Sequence, residues 1–231
     1  MATLVAPAES ETRNRRAGRA AVASGLMGIM SFGFLIACAA YVAGHQPAEY
    51  KTFADAPLVA RLLFKGVYVG SLLQALFMIP VAAAVHTLGR LRSLRMSQTA
   101  TAVGITALVA VVLLRVLVLV DSEVSDILFI GPMGFVGMWL IATNWLLGGV
   151  LSMGIRIAGT VAGVGFVIAG VSFFFLGGLA EFSHAGAMSD DLVFHTGLWV
   201  GGIPAFILYP IWAIFLGRSL SRQVSASSSA A

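Results

Sequence analysis

Metal-binding residue types occur close together near the carboxyl end of the chain. Glu181 and His184 have the Glu-x-x-His spacing, which places both side chains on one face of a helical turn, and His195 follows them. Imidazole and carboxylate ligands together suit zinc, iron or manganese. The spacing matches no closed metal signature, so a metal site is one hypothesis and an ordinary polar loop is the other.

Arg115 lies inside an otherwise apolar stretch. A charge at the centre of a membrane span costs about 2.5–3.5 kcal/mol on insertion scales. The nearby Asp121 marks the end of this stretch, so the side chain is close enough to reach the membrane interface. Arg115 therefore either faces a cavity, where it binds an anion or pairs with an acid, or is a structural arginine that snorkels or forms a salt bridge.

Two amides and a glycine-proline run complete the candidate solute contacts. Gln74 and Asn144 lie within apolar stretches, where each amide seeks a partner on another helix. The run Gly201-Gly202-Ile203-Pro204 favours a broken helix, because a proline has no N–H and leaves a carbonyl without its donor. Broken helices expose backbone groups to solutes in transporters, and they also occur as passive kinks.

Other site chemistries lack their sequence patterns. A bis-histidine haem needs two histidines at similar depth on facing spans, but His86 lies at the opposite end of the apolar stretches from His45, His184 and His195. The sequence contains no nucleophile elbow, phosphate-binding glycine loop or histidine-rich box. The single thiol, Cys38, forms neither an intrachain disulfide nor a cysteine-based metal site. The cofactor therefore remains unknown from sequence.

The elements that carry these residues are long and apolar. Of the 231 residues, 59% are hydrophobic and only 10% charged, whereas a soluble domain has roughly a quarter charged residues. Six stretches reach the roughly 20 apolar residues that cross a bilayer. They are apolar on every face, unlike barrel strands, so we expect an all-α polytopic transmembrane bundle of six helices. The stretches are Ala20–Gly44, Val67–Thr87, Ala100–Val120, Ile127–Met153, Ile157–Leu179 and Thr196–Leu216.

The basic residues predict the orientation of this bundle. The amino-terminal tail, the 88–99 loop, the 154–156 turn and the carboxyl terminus share one side and carry ten Lys and Arg, against three on the other side. Such a bias predicts that both termini are cytoplasmic (N-in/C-in). The net charge of +4 follows the membrane sides and forms no patch for nucleic acid.

Three regions follow from this topology. Residues 1–19 are a basic cytoplasmic tail, residues 20–217 form the transmembrane domain, and residues 218–231 are a basic and then Ser/Ala-rich cytoplasmic tail. Within the last region, the Ser/Ala-rich composition of residues 223–231 is typical of a disordered segment.

Small residues recur at four-residue spacing, which lets helices approach closely. The spacing indicates either a dimerisation face or packing within the bundle, and the 26 glycines of the chain favour the second. The pairs are Gly66 with Gly70, Gly159 with Gly163, and Asn144 with Gly148.

The last two apolar stretches carry a resemblance to known proteins. Gly197-Leu-Trp199-Val-Gly-Gly, Tyr209-Pro210-Ile-Trp212 and Gly217-Arg218, together with Arg156-Ile-Ala-Gly159, are similar to an uncharacterised group of small bacterial multi-pass inner-membrane proteins with a domain of unknown function. The resemblance is confined to the carboxyl-terminal third. It implies a bacterial inner (plasma) membrane location and supplies no catalytic residues.

Three functions are compatible with these observations. The sequence favours a non-enzymatic protein that binds or moves a small lipophilic solute through Arg115, the two amides and the glycine-proline run. The second is a structural or assembly subunit of a membrane complex, as a homo-oligomer or beside a partner subunit. The third is a membrane enzyme with a metal at the Glu181, His184 and His195 cluster. In all three, the lipid bilayer surrounds the chain.

The first stretch also contains Leu35-Ile36-Ala37-Cys38, which resembles the lipobox of a bacterial lipoprotein signal. Cleavage there would leave five spans and a lipidated Cys38. Four apolar residues inside an apolar helix match such a motif easily by chance, so we expect the first helix to remain uncleaved. The intact mass of the mature protein then includes residues 1–37; a chain that begins at a lipidated Cys38 would contradict this prediction.

Overall fold

In the part of the chain that the structure describes, six helices are long and apolar enough to cross a membrane. The computed structural model describes residues 7–45, 56–121, 126–175 and 196–228, and within these ranges it contains no strand. A 3-10 turn (Asp126–Phe129) precedes the fourth helix, and a π-helical turn (Leu198–Gly202) precedes the sixth. The expected all-α bundle of six apolar helices is confirmed. The helices are α1 (Pro7–His45), α2 (Leu58–Gly89), α3 (Leu94–Val120), α4 (Ile130–Leu146), α5 (Met153–Phe175) and α6 (Ile203–Ser228).

Several helices extend beyond the apolar stretches that predicted them. The first begins at Pro7, so the arginines of the amino-terminal tail belong to α1. The second begins at Leu58, ahead of the apolar stretch that was expected to start at Val67. The sixth continues to Ser228, so the disordered segment expected from residue 223 is wrong up to that position. Hydropathy detects only the part of a helix that lies in lipid, whereas Ala, Arg and Glu also favour helix in water.

Each helix packs against its neighbours in sequence, and α6 returns to pack against α1. The six described helices therefore form a closed ring of alternating direction. Trp139, Trp212, Phe166 and Met78 are among the largest side chains that are at least 98% buried, and they fill the space between the helices. Lipid thus contacts the outer faces, while aromatic side chains occupy the interior.

Most of the arginines lie at one end of this ring, which we call the basic end. It contains the start of α1, the α2–α3 and α4–α5 connections and the end of α6. All ten basic residues that the sequence placed on one side lie there. They are Arg13, Arg15, Arg16, Arg19, Arg90, Arg92, Arg95, Arg156, Arg218 and Arg222.

A ladder of side-chain hydrogen bonds sets the register of α1 against α2. Donors at seven-residue intervals on α1 bond to carbonyl oxygens at seven-residue intervals on α2, in the opposite direction. A seven-residue repeat keeps both sets on one seam between two helices that wrap around each other with a left-handed twist. The ladder also accounts for the burial of the Cys38 thiol. The bonds run from Ser24 Oγ to Gln74 O (2.8 Å), from Ser31 Oγ to Val67 O (2.8 Å) and from Cys38 Sγ to Ala60 O (3.9 Å).

Glycines bring helix backbones into direct contact. A Cβ atom on Gly170 of α5 would lie 2.6 Å from the Cα of Gly134 on α4, and one on Gly163 would lie 2.7 Å from the carbonyl oxygen of Gly137. Small residues permit this approach, which lipid alone does not drive.

The glycine pairs found in the sequence serve the same purpose. Gly66 and Gly70 face Phe34 and Ser31 of α1, and Gly159 faces Trp212 of α6. These glycines pack within the bundle rather than on a dimerisation face.

Two arginines hold the carboxyl end of α4. Arg92 donates to the carbonyl oxygen of Trp145 (2.8 Å), and its guanidinium lies 4.2 Å from the centre of the Trp145 ring. Arg156, in the first turns of α5, donates to the carbonyl oxygens of Asn144 (3.0 Å) and Gly148 (3.4 Å). Positive charge is favourable at this end of a helix dipole. Arg156 therefore ties α5 to the end of α4.

The close contact of α4 and α5 is testable with one methyl group. We expect Gly170→Ala to destabilise the protein by about 1–3 kcal/mol, because its Cβ can be accommodated only if α4 and α5 move apart. Gly33→Ala is the matched control, since a Cβ at Gly33 meets no atom within 4 Å. Thermal unfolding in a mild detergent measures both variants. An equal melting temperature for the two would show that the α4–α5 approach contributes no stability.

Candidate functional site

Arg115 is the one buried charged residue among those whose side chains the structure describes, at 3% exposure. Its guanidinium carbon lies 3.5 Å from the centre of the Phe129 ring and 5.2 Å from that of Tyr68. Helix α3 supplies the arginine, α2 supplies Tyr68 and the 3-10 turn supplies Phe129. A desolvated cation–π contact is worth about 2 kcal/mol, which offsets much of the cost of this charge. The side chain points into the bundle, at the end opposite to the basic end.

The glycine-proline run changes the hydrogen-bonding pattern of the last span. Leu198–Gly202 is π-helical, and α6 begins at Ile203, whose N–H donates to the carbonyl oxygen of Trp199. Pro204 has no N–H to donate to the preceding turn, so the pattern changes where a proline would interrupt an α-helix. The last span is therefore continuous through this run, and the broken helix that the sequence favoured is not formed.

The two glycines of the run have different surroundings. A Cβ on Gly201 would lie 2.5 Å from the carbonyl oxygen of Gly165, so this position is required by the close approach of α5. A Cβ on Gly202 would meet only the Phe206 ring, at 3.7 Å. Gly201 is therefore a packing glycine, whereas Gly202 borders a less crowded space.

Phe129 joins Arg115 to this π-helical turn at the start of the last span. Its ring centre lies 6.2 Å from that of Phe206, which follows Pro204 by two residues, and Phe206 in turn lies 5.8 Å from Phe166 on α5. Arg115 and the glycine-proline run thus share one aromatic cluster, although they are far apart in sequence. We call Arg115, Tyr68, Phe129 and Phe206 the arginine cluster.

Gln74 lies away from this cluster. It is 7% exposed, and a Cβ on Gly28 would lie 2.5 Å from its Nε2 atom and 2.7 Å from the Cγ of Pro210. The backbone oxygen of Gln74 accepts the hydrogen bond from Ser24. Gln74 therefore belongs to the junction of α1, α2 and α6.

Asn144 forms a separate contact near the basic end. Its Oδ1 accepts a hydrogen bond from Trp212 Nε1 (3.0 Å), and its Nδ2 donates to the carbonyl oxygen of Leu140 (2.8 Å). A Cβ on Gly159 would overlap both Asn144 Nδ2 and Trp212 Nε1, so this glycine makes room for the pair. A hydrogen bond of this kind between membrane helices is worth about 0.6–2 kcal/mol. The amide joins α4 to α6 across α5.

Sequence reasoning missed the aromatic partners of both polar residues. Phe129 and Tyr68 contact Arg115, and Trp212 contacts Asn144, but no spacing in the sequence relates either pair. Tyr209 stacks on Trp212 with ring centres 6.0 Å apart and extends the same aromatic packing. These contacts come from helix adjacency, so a local pattern carries no signal for them.

The metal hypothesis concerns residues outside the described part of the chain. Glu181, His184 and His195 all fall in the range 176–195, so their arrangement stays a prediction. Within the described ranges, no group of three or more His, Cys, Asp or Glu side chains is placed to hold a metal ion. The side chain of His86 forms a hydrogen bond between its Nδ1 and Ser97 Oγ (2.9 Å), across the α2–α3 turn.

Two buried tryptophans allow the Asn144 hydrogen bond to be measured. Trp212→Phe removes the indole N–H that donates to Asn144 Oδ1. Trp139 Nε1, by contrast, has no hydrogen-bond partner among the described residues. Both rings are at most 1% exposed, so Trp139→Phe is a matched control for the lost volume. We expect Trp212→Phe to be more destabilising by about 1–2 kcal/mol, measured by thermal unfolding in detergent. Equal losses would show that the bond to Asn144 adds nothing.

The chain was also compared with known proteins. No protein-family model, no curated protein and no solved structure matches it.

Proposed function

We propose that this chain is a multi-pass protein of a bacterial inner (plasma) membrane that binds or moves a small lipophilic solute with a negatively charged group. The binding position is the arginine cluster. One observation carries the proposal: a guanidinium is buried inside a membrane bundle and lies against aromatic rings from two other elements.

The chemistry of arginine gives the reason for a negatively charged solute. A charge inside a membrane domain is expensive, and residues of this kind mark solute and ion pathways. The rings of Phe129 and Tyr68 lie against the guanidinium, while its N–H groups are arranged in a plane that suits carboxylate, sulfonate or phosphate oxygens. A solute at this position contacts charge and aromatic surface together, which selects an organic anion over an inorganic one.

The backbone beside the cluster supports the same function. Phe206 belongs both to the arginine cluster and to the turn that follows the π-helical segment. π-Helical turns occur frequently at functional sites. Gly202 is buried in this turn, and an added Cβ would make an ordinary van der Waals contact with Phe206 at 3.7 Å.

The distribution of charge supports the proposed membrane orientation, and helix packing accounts for the glycine pairs. The ten arginines at the basic end favour a cytoplasmic position for both termini. The glycine pairs that suggested an assembly face pack against other helices of the same chain. These glycine pairs are therefore accounted for by contacts within the chain.

The test is the set of anionic small molecules that co-purify with the protein in mild detergent, identified by mass spectrometry. We expect the wild type to retain a discrete organic anion, and Arg115→Ala to retain about 10–100-fold less, which corresponds to a lost hydrogen-bonded charge contact. Arg115→Lys should retain an intermediate amount, because lysine keeps the charge and loses the planar arrangement of donors.

Arg95→Ala is the matched control, because Arg95 is an exposed arginine on the same helix at the basic end. It should retain as much of the anion as the wild type. Phe129→Leu keeps the charge and removes one aromatic contact, so it should weaken retention without abolishing it. Equal anion content in the wild type and Arg115→Ala, or no organic anion on the wild type, would exclude the proposed role of Arg115.

A further inference from the structure

A groove of about 440 Å³ opens between α5 and α6 at the basic end, remote from the arginine cluster. Its rim contains the start of α5 and the last turns of α6. The rim residues are polar or have no side chain: Ser152, Gly154, Arg218, Ser219 and Arg222. None of the residues that line the groove is acidic.

The inner part of the same groove is apolar. Ala158 of α5 and Ile211 and Phe215 of α6 line it. Because α5 runs away from the basic end and α6 runs toward it, both walls change from apolar to polar in the same direction. This gradient matches an amphiphile whose charged group lies at the end of the bundle and whose chain lies along the helices.

Positive charge at the rim has two sources. Arg218 and Arg222 are four residues apart and share one face of α6. The first turn of α5 adds backbone N–H groups and the positive end of the helix dipole. A Cβ on Gly154 would meet no atom within 4 Å, so an anion can approach the backbone of this turn closely.

The same two arginines border a second groove, of about 470 Å³, between α1 and α6. Arg19 joins them there, and Val22 and Leu26 form an apolar wall. The end of α6 therefore presents Arg218 and Arg222 to both of its lipid-facing sides. By contrast, Arg156 is already bonded to the end of α4 and lines neither groove.

We propose that the α5–α6 groove binds an anionic phospholipid. The phosphate contacts Arg218, Arg222 and the first turn of α5, and an acyl chain lies along Ala158, Ile211 and Phe215. Basic pockets between membrane helices bind phospholipid head groups in this way. A soluble phosphate compound would leave the apolar part of the groove empty, so the continuous wall favours a lipid.

The test uses the full chain in mild detergent, titrated with phosphatidylglycerol or with phosphatidylcholine of the same acyl chains. Bound lipid is counted by native mass spectrometry. We expect the wild type to prefer phosphatidylglycerol, and Arg218→Gln/Arg222→Gln to bind it about 10–30-fold more weakly. Binding of phosphatidylcholine should be unchanged in this variant, which also shows that the groove is still formed.

A matched double variant separates the groove from the general charge of the basic end. Arg90→Gln/Arg95→Gln removes two exposed arginines at the same end and outside the groove, and it should keep the preference for phosphatidylglycerol. Equal losses in the two double variants would overturn the proposal, because attraction to the whole basic end would then explain the binding. No preference in the wild type would overturn it as well.

Two further arms test the lipid itself. Ala158→Phe fills the apolar part of the groove and leaves both arginines in place, so it should weaken phosphatidylglycerol binding. Glycerol 3-phosphate offers the same phosphate without acyl chains, and at millimolar concentration it should not displace the lipid. Displacement by glycerol 3-phosphate, or wild-type binding in Ala158→Phe, would identify a soluble phosphate site instead and contradict the proposal.

Discussion

Lipid tails are as apolar as leucine side chains, so the hydrophobic effect does not hold membrane helices together. Close backbone contact and hydrogen bonds between helices must do so, and the rest of this structure depends on that constraint. Gly134 and Gly170 let α4 and α5 touch, and the serine–cysteine ladder sets α1 against α2. Asn144 and Trp212 add a bond between α4 and α6. The polar residues in these bonds therefore join helices of the ring to each other.

Arg115 differs from the residues that join the helices because it is charged, and neutral side chains are enough for helix contacts. A guanidinium adds a charge whose desolvation the bundle must offset, and the aromatic rings of Phe129 and Tyr68 contribute to that compensation. Its position beside the π-helical start of α6 places the one described buried charge next to the least regular backbone of the spans. A buried charge beside a π-helical turn distinguishes the arginine cluster from the other helix contacts.

The two ends of the bundle consequently differ in chemistry. At the basic end, arginines bond to helix carbonyl groups or lie at the rims of grooves that open toward lipid. Toward the opposite end, the guanidinium of Arg115 is enclosed among aromatic rings. The arginines of the two ends therefore differ in environment, because burial changes the dielectric environment around the charge.

The sequence by itself determined that six helices cross a membrane, and where their apolar parts lie, because hydropathy and length are local properties of a segment. It also determined that ten arginines lie at one end. Successive helices alternate in direction, so every second connection lies at the same end of the bundle. The helix ends were less predictable, as α1 and α6 continue into polar sequence.

Only the tertiary structure decided which residues meet. Asn144 bonds to a tryptophan 68 positions away, and Arg115 joins the glycine-proline run through Phe129 and Phe206. Such partners depend on helix adjacency and rotation, which the uniformly apolar faces of these spans leave undetermined. For the same reason the sequence grouped Gln74 and Asn144 with Arg115 as one set, whereas the ring of helices places them at separate junctions.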